Sequence, residues 1–205
     1  MAAPMLKTVL AVLPVEPHPE GYGSQKRAAA HLSALVEANR VHLVVLDSRD
    51  VNGRPGDALL FERCESVSVV KYRWRPRRIL TKMAPFPTLA ELFDPTVKRW
   101  LPSPAQVREA FAHVVEKQID AALCFKLMSA TVLDHAQSIV PLRIGRRIVD
   151  FDDVQSLADQ RALAYEKRHG YEQSIIDGLI RSQIRRAEDR CLATYDAVWI
   201  CSDTD

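Results

Sequence analysis

Short apolar runs along the chain alternate with longer stretches in which apolar residues recur every three or four positions. The first run, Thr8–Leu13, is continuous, and a loop punctuated by proline and glycine follows it over Pro14–Gly23. From Ser24 to Asn39 the apolar residues form one stripe at helical spacing, which is typical of a helix packed on a sheet. The chain therefore begins with a strand, a loop and a helix.

The same alternation continues toward the end of the chain. Further buried strands are predicted at Val41–Leu46, Ser66–Val70, Ala121–Phe125, Ile148–Phe151 and Ala197–Cys201. Helices are predicted from Ser103, over Ser129–Gln137 and from near Ser156. The first of these has an N-cap serine, a proline at its first position and a capping-box glutamine. Strands that alternate with helices in this way indicate an α/β fold with a doubly wound, mostly parallel sheet.

Composition favours one globular domain over residues 1–205, because 47% of the residues are hydrophobic and 26% are charged. The formal net charge of +2 gives no reason to expect nucleic acid as a partner. The four cysteines form no CxxC pair, which predicts reduced thiols. The first apolar run is too short for a signal peptide, and no run could span a bilayer. We therefore expect a cytoplasmic protein.

Three carboxylates follow the apolar strand that ends near residue 149. Asp150, Asp152 and Asp153 stand at its carboxyl end, directly before a predicted helix. Open parallel sheets bind their ligands at that end of the strands. Crowding and partial burial raise the pKa of a carboxylate, as a general base requires. The alternative, given equal weight, is that Asp152 or Asp153 only caps the helix.

Lys126 and Ser129 follow another buried strand and are expected at the same edge of the sheet as the aspartates. We predict that they help to line a ligand-binding cleft at that edge. The six histidines show no metal-ligand spacing, so no metal is expected. The sequence also contains no GxGxxG motif, P-loop or Gly-x-Ser-x-Gly elbow, which argues against nicotinamide, nucleotide and serine-hydrolase chemistry.

A basic stretch follows the third predicted strand and interleaves cations with Tyr72 and Trp74. Its basic residues are Lys71, Arg73, Arg75, Arg77 and Arg78. Such a stretch suits an anionic ligand, a lipid-linked acceptor or an anionic membrane surface. Nucleic acid is a further candidate for it, and the simplest interpretation is a solvated strand end and loop.

Four features, in order along the chain, resemble the N-terminal domain of family-4 glycosyltransferases with the GT-B fold. They are the loop Gly21–Arg27, the run Asp150–Asp153, Glu188, and the segment Tyr195–Ser202. The resemblance extends over nearly the whole chain, and the order and spacing of the motifs carry it. Sugar transferases of exopolysaccharide-associated systems are similar in their aspartate pattern.

The resemblance implies half of a GT-B fold, in which two Rossmann-like domains face each other across a cleft. The N-terminal domain binds a glycan or lipid-linked acceptor, and the C-terminal domain, absent from this chain, binds the nucleotide sugar. The implied activity is that of a retaining hexosyltransferase that needs no metal or other cofactor. This chain alone is expected to be inactive, with peripheral contact at the inner face of the cell membrane as an open alternative.

The resemblance also implies roles for particular residues. Gly21 and Gly23 match the glycine loop whose backbone approaches the acceptor. Asp152 stands where many relatives carry a histidine, so a carboxylate replaces an imidazole near the reacting sugar. Together with Asp153 it is the predicted catalytic group, which orients the attacking hydroxyl, and Asp150 is expected to contact the acceptor. The alternative function is a non-catalytic binding or regulatory domain that uses the basic stretch.

Overall fold

The computed structural model describes residues 6–47, 55–71, 101–152, 154–168 and 175–200. Strands in these ranges are β1 (Lys7–Leu13), β2 (Asn39–Asp47), β3 (Ser66–Lys71), β4 (Gln118–Phe125), β5 (Arg143–Asp150) and β6 (Ala197–Trp199). Helices are α1 (Gly23–Ala38), α2 (Ala58–Glu62), α3 (Pro104–Phe111), α4 (Lys126–Gln137), α5 (Gln155–Arg168) and α6 (Ile175–Thr194).

The described strands form one six-stranded sheet in the order β3-β2-β1-β4-β5-β6. Every neighbouring pair in it is parallel. This is the strand order of Rossmann-like doubly wound folds. The prediction of an α/β fold with a parallel sheet is therefore confirmed.

Helices cover both faces of the sheet, and this explains why β1 is apolar from Val9 to Leu13. Leu10 and Val12 belong to one buried cluster, which they share with residues of α3, α4 and α6. Ala11 and Leu13 belong to a second cluster, on the face covered by α1. Successive side chains of a strand point to opposite faces, so a strand buried on both sides has no polar position.

Most predicted boundaries agree with the structure to within a few residues, and the start of β5 differs most, at Arg143 instead of Ile148. Ser103 caps α3 as predicted, since its Oγ accepts a bond from the Gln106 N–H and the Gln106 side chain accepts one from the Ser103 N–H. The helix expected from Ser129 begins instead at Lys126, directly after β4. A single residue with left-handed backbone, Lys126 at φ 67°, makes this abrupt change from strand to helix.

The described cysteines Cys64, Cys124 and Cys191 are free thiols. Burial raises the pKa of Cys64 to about 11 and that of Cys191 to about 12, so both are protonated at neutral pH. No helix among the described residues is long and apolar enough to cross a membrane.

Candidate functional site

The carboxyl ends of β1, β4 and β5 lie side by side at one edge of the sheet. The chain leaves β1 toward α1 on one face, whereas it leaves β4 toward α4 on the other. Such a reversal opens a crevice at the strand ends, the usual ligand position in open α/β sheets. Five polar side chains meet there and are called the switch-point cluster: Arg27, His31, Lys126, Asp150 and Asp152.

Asp150, the last residue of β5, is the buried centre of this cluster. Its side chain is 0% exposed, and it accepts bonds from Arg27 Nη2 at 2.8 Å and from the Asp152 N–H at 2.8 Å. His31 Nε2 lies 2.7 Å from its Oδ2. Burial would raise the pKa of Asp150, but the hydrogen bonds from His31, Arg27 and the Asp152 backbone outweigh it and lower the pKa to about 2.

Asp150 is therefore an ionised anchor, so it is not the one among the three aspartates for which crowding predicts a raised pKa. Both of its oxygens are occupied by protein donors. The side chain is also buried, and the direct contact between Asp150 and an acceptor stays a prediction. Its role in this arrangement is to hold Arg27 and His31 in place.

Arg27 and His31 reach Asp150 because they stand four residues apart on α1, and residues at that spacing share one face of a helix. The Arg27 guanidinium spans two carboxylates. Nη1 donates to Asp152 Oδ1 at 2.9 Å, while Nε and Nη2 bind Asp150 at 3.1 and 2.8 Å. The planar fork of arginine suits such bidentate binding. With a side chain 25% exposed, Arg27 links the buried anchor to the surface.

Asp152 and Lys126 form the accessible rim of the cluster. The Lys126 ammonium lies 3.2 Å from Asp152 Oδ2, and it donates to Ser24 Oγ at 2.7 Å. Their side chains are 20% and 35% exposed, so a ligand can touch both. Both residues also have left-handed backbone, with φ 60° for Asp152 and φ 67° for Lys126. Non-glycine residues in that region concentrate at ligand and catalytic sites.

Asp152 was equally expected to be only a helix cap, and its contacts favour a place in the cluster. Its carboxylate pairs with Arg27 and Lys126. In the first turn of α5, the Ser156 N–H donates to Glu188 Oε1 at 3.1 Å. Glu188 is buried, 4% exposed, so this contact joins α6 to the start of α5 inside the fold.

Three rings pack beside the charged groups. The imidazole of His31 lies 5.6 Å from the Phe125 ring and 6.2 Å from the Trp199 ring, with an angle of 29° between the His31 and Trp199 planes. Phe125 is fully buried, whereas Trp199 is 46% exposed. Lys126 Nζ also lies 5.5 Å from the centre of the Phe125 ring. The cluster thus combines fixed charges with one accessible aromatic surface.

The two glycines of the first loop have different surroundings. A Cβ at Gly21 would collide with the side chain of Gln25, and the Gly21 N–H already donates to the His18 carbonyl at 3.0 Å. A Cβ at Gly23 would meet nothing within 4 Å. Gly21 therefore serves local packing in this structure. Only Gly23, the first residue of α1, leaves open space through which a ligand could approach the helix N-terminus.

Two of the remaining predicted residues, Ser129 and Lys71, are not part of the cluster. Ser129 is in the first turn of α4, is completely buried, and its Oγ is the buried side-chain atom without a hydrogen-bond partner among the described residues. Asp153, Arg73, Arg75, Arg77 and Arg78 lie outside the described residues. Lys71 ends β3, at an outer strand of the sheet rather than at the switch point.

Sequence reasoning missed three members of the site: Arg27, His31 and Trp199. A signal for the first two was present, because a cation and an imidazole four residues apart, in the second and third turns of the first helix, must lie on one face near the strand ends. Their partner Asp150 is 123 and 119 residues further along the chain. No local pattern connects positions so far apart.

A shallow cleft of about 300 Å³ lies elsewhere, between α1 and α2, and Lys26, Ala30, Leu60 and Arg63 are among its lining residues. None of the cluster residues lines it. We place the site at the switch-point cluster because polar groups from several elements converge there, which is the usual mark of a ligand site. The described residues contain no group of three potential metal-binding side chains.

Fold and site together define an α/β protein with a cluster of polar side chains at the switch point of a Rossmann-like sheet. No family model matches the sequence, and a search of curated proteins finds no similar one. The function is therefore argued from the site.

Proposed function

We propose that this chain is the acceptor-binding domain of a retaining hexosyltransferase, with a nucleotide-sugar donor bound mainly by a second domain outside the chain. The observation that carries the proposal is the accessible pair of Asp152 and Lys126 above the anchored Asp150. The Rossmann-like sheet and the site at its switch point support it, because GT-B transferases bind their substrates between two such domains. A cytoplasmic protein that works on glycan or lipid-linked acceptors is part of the same proposal.

In this proposal Asp152 orients the attacking hydroxyl of the acceptor. Its carboxylate accepts a hydrogen bond from the hydroxyl, while Arg27 and Lys126 hold the carboxylate in position. Asp150 fixes Arg27 through bidentate bonds, so the rim carboxylate is held in one geometry. Fixed orientation of a nucleophile is worth several kcal/mol in transfer reactions, on the order of 7 where alignment is ideal.

Positive groups beside Asp152 also suit the departing phosphate of a nucleotide sugar. The Lys126 ammonium is bound to Ser24 in the first turn of α1, so it lies next to the positive end of the helix dipole. Open space at Gly23 leaves that helix end accessible. A phosphate released beside Lys126 would therefore meet its ammonium group and the backbone N–H groups at the start of α1 together.

The test is ligand binding to the 205-residue chain, measured by saturation-transfer NMR with a panel of mono- and disaccharides. We expect sugar binding that Asp152→Asn weakens by about tenfold or more, because a hydrogen bond to a charged group is lost. Asp189→Asn is the matched control, since Asp189 is an exposed carboxylate on α6. Sugar binding that is absent, or equal in Asp152→Asn and the control, would contradict the proposal.

One observation favours a second candidate, a non-catalytic binding or regulatory domain. Both carboxylates of the cluster are paired with protein cations, which is also what a purely structural ion-pair network looks like. In that case the basic stretch is the contact surface. Arg77→Glu should then abolish salt-sensitive binding to a partner or to anionic vesicles, while Asp152→Asn leaves binding unchanged.

A further inference from the structure

Trp199 is a large aromatic side chain that remains 46% exposed beside a polar site. It is the last residue of β6, and its carbonyl accepts a bond from the Phe151 N–H at 3.0 Å. In the sheet it pairs with Asp150, the anchor of the switch-point cluster. The backbone that carries the indole is therefore fixed next to the cluster.

The Trp199 indole packs against the imidazole of His31, which is itself held in place. His31 stacks with Trp199 at a ring distance of 6.2 Å, and Asp150 fixes His31 through a contact of 2.7 Å. An ionised carboxylate only accepts hydrogen bonds, so Nε2 of His31 carries a proton and the imidazole cannot turn without losing this bond. One face of Trp199 is thus backed by a rigid ring, and the exposed remainder is available for another ring.

The charges near Trp199 indicate what kind of ring would pack on its exposed surface. The guanidinium of Arg27 and the ammonium of Lys126 are already engaged by Asp150 and Asp152. Two positive charges stand against two negative ones, so the cluster beside Trp199 has no large net charge that would call for an anionic ring. A neutral ring with an apolar face and hydroxyl edges matches an aromatic wall beside hydrogen-bonding groups.

We propose that Trp199 is the stacking wall of a sugar subsite that takes a neutral hexopyranosyl ring, next to the hydroxyl-orienting Asp152. The inference rests on the proposed function in that this ring is the acceptor sugar. The apolar C–H face of the ring packs on the indole, and its hydroxyl edge points toward the rim of the cluster. Trp199 is then a binding residue of the acceptor side.

The experiment is a titration of the 205-residue chain, labelled with 5-fluorotryptophan, followed by fluorine NMR. The chain has three tryptophans, and comparison with Trp199→Phe assigns the resonance of Trp199. Methyl glucopyranosides, galactopyranosides and mannopyranosides are the probes, and uridine and inorganic phosphate represent the other ligand classes. Circular dichroism and the thermal midpoint check that each variant folds.

We expect at least one pyranoside to shift the Trp199 resonance, and Trp199→Ala to weaken binding by about tenfold or more because a stacked aromatic surface is lost. Trp199→Phe should retain part of the affinity. Tyr165→Ala is the control, since Tyr165 is an exposed aromatic residue on α5, 62% exposed. Uridine and phosphate should leave the Trp199 resonance unchanged.

The outcomes separate this inference from the proposed function. Pyranosides that bind in an Asp152-dependent way without moving the Trp199 resonance would overturn the subsite and leave the acceptor role intact. A Trp199 response that persists in Asp152→Asn would support the subsite and count against the role of Asp152. If no pyranoside binds, or uridine alone shifts Trp199, the sugar subsite is wrong.

Discussion

Asp134 and Asp150 are both aspartates in packed surroundings, yet the fold shifts their pKa values in opposite directions. The Asp134 side chain is 25% exposed, and burial raises its pKa despite a hydrogen bond from Tyr195 and the charge of Arg147. The Asp150 side chain is 0% exposed, and its pKa falls to about 2. The more deeply buried carboxylate is therefore the stronger acid.

Distance and donor type explain the difference. The nearest cation atom to Asp134 is Arg147 Nη1 at 3.8 Å, and its hydrogen bond comes from a neutral hydroxyl, Tyr195 at 3.2 Å. Asp150 instead receives a bidentate guanidinium at 2.8 Å and a histidine at 2.7 Å. The close hydrogen bonds from His31 and Arg27, together with the charge of Arg27, outweigh the desolvation of Asp150. The hydroxyl of Tyr195 and the more distant charges of Arg147 and Arg190 do not outweigh that of Asp134. Asp134 thus connects α4 to Tyr195 through a hydrogen bond. The switch-point cluster is instead organised around the ionised carboxylate of Asp150.

The largest expected effect comes from removing the charge of Asp150. Asp150→Asn leaves Arg27 and His31 facing a neutral amide at a buried position, which should reduce the free energy of unfolding by about 3 kcal/mol. Asp134→Asn should cost less, about 1 kcal/mol, because burial already disfavours its charged form. Urea unfolding of both variants measures the two losses. Equal losses would show that the two carboxylates contribute alike to stability, contrary to this prediction.

The pH dependence of stability should show the same contrast with opposite signs. The pKa of Asp150 in the folded chain is lower than its ordinary value of 3.8, so its stabilisation is complete above pH 4 and is lost as pH falls toward 2. The loss amounts to about 2 kcal/mol, which should be missing in Asp150→Asn. Asp134 has a raised pKa, so its contribution declines as pH rises through 3.8 and beyond.

Urea unfolding of the wild type and both variants at several pH values between 2 and 6 tests this sign difference. Subtracting each variant from the wild type removes the titration of the other carboxylates, which all three proteins share. A difference curve for Asp150→Asn that is flat below pH 4 would show that its pKa is not lowered by the fold.

The contrast between these two aspartates also shows which parts of the molecule could be predicted from the sequence. The apolar runs that became β1 and β4 are local signals, because a strand buried on both faces needs apolar residues at every position. The capping box at Ser103 is equally local, and it begins α3 as expected. Fold class and most element positions follow from such signals.

The chemistry of the site depends on contacts that no local signal records. Asp150 was identified as a site residue, but its lowered pKa depends on Arg27, which is 123 residues away in the sequence. The exposure of Trp199 depends on how β6 ends against its neighbours, and Gly21 lies so close to the side chain of Gln25 that an added Cβ would collide with it. Position at the sheet edge could be predicted, whereas the role of each side chain there could not.

The smallest effect is expected at the rim of the switch-point cluster, where the backbone of Lys126 is left-handed with φ 67°. Lys126→Gly and Lys126→Ala both remove the contact with Asp152, but only alanine retains the steric cost of a side chain in left-handed backbone. We therefore expect the glycine variant to be more stable than the alanine variant by about 1 kcal/mol. Thermal unfolding of the pair isolates the backbone term, because the ion pair is absent from both. If the alanine variant is the more stable one, the left-handed backbone at Lys126 is not strained. The abrupt change from β4 to α4 then needs another explanation.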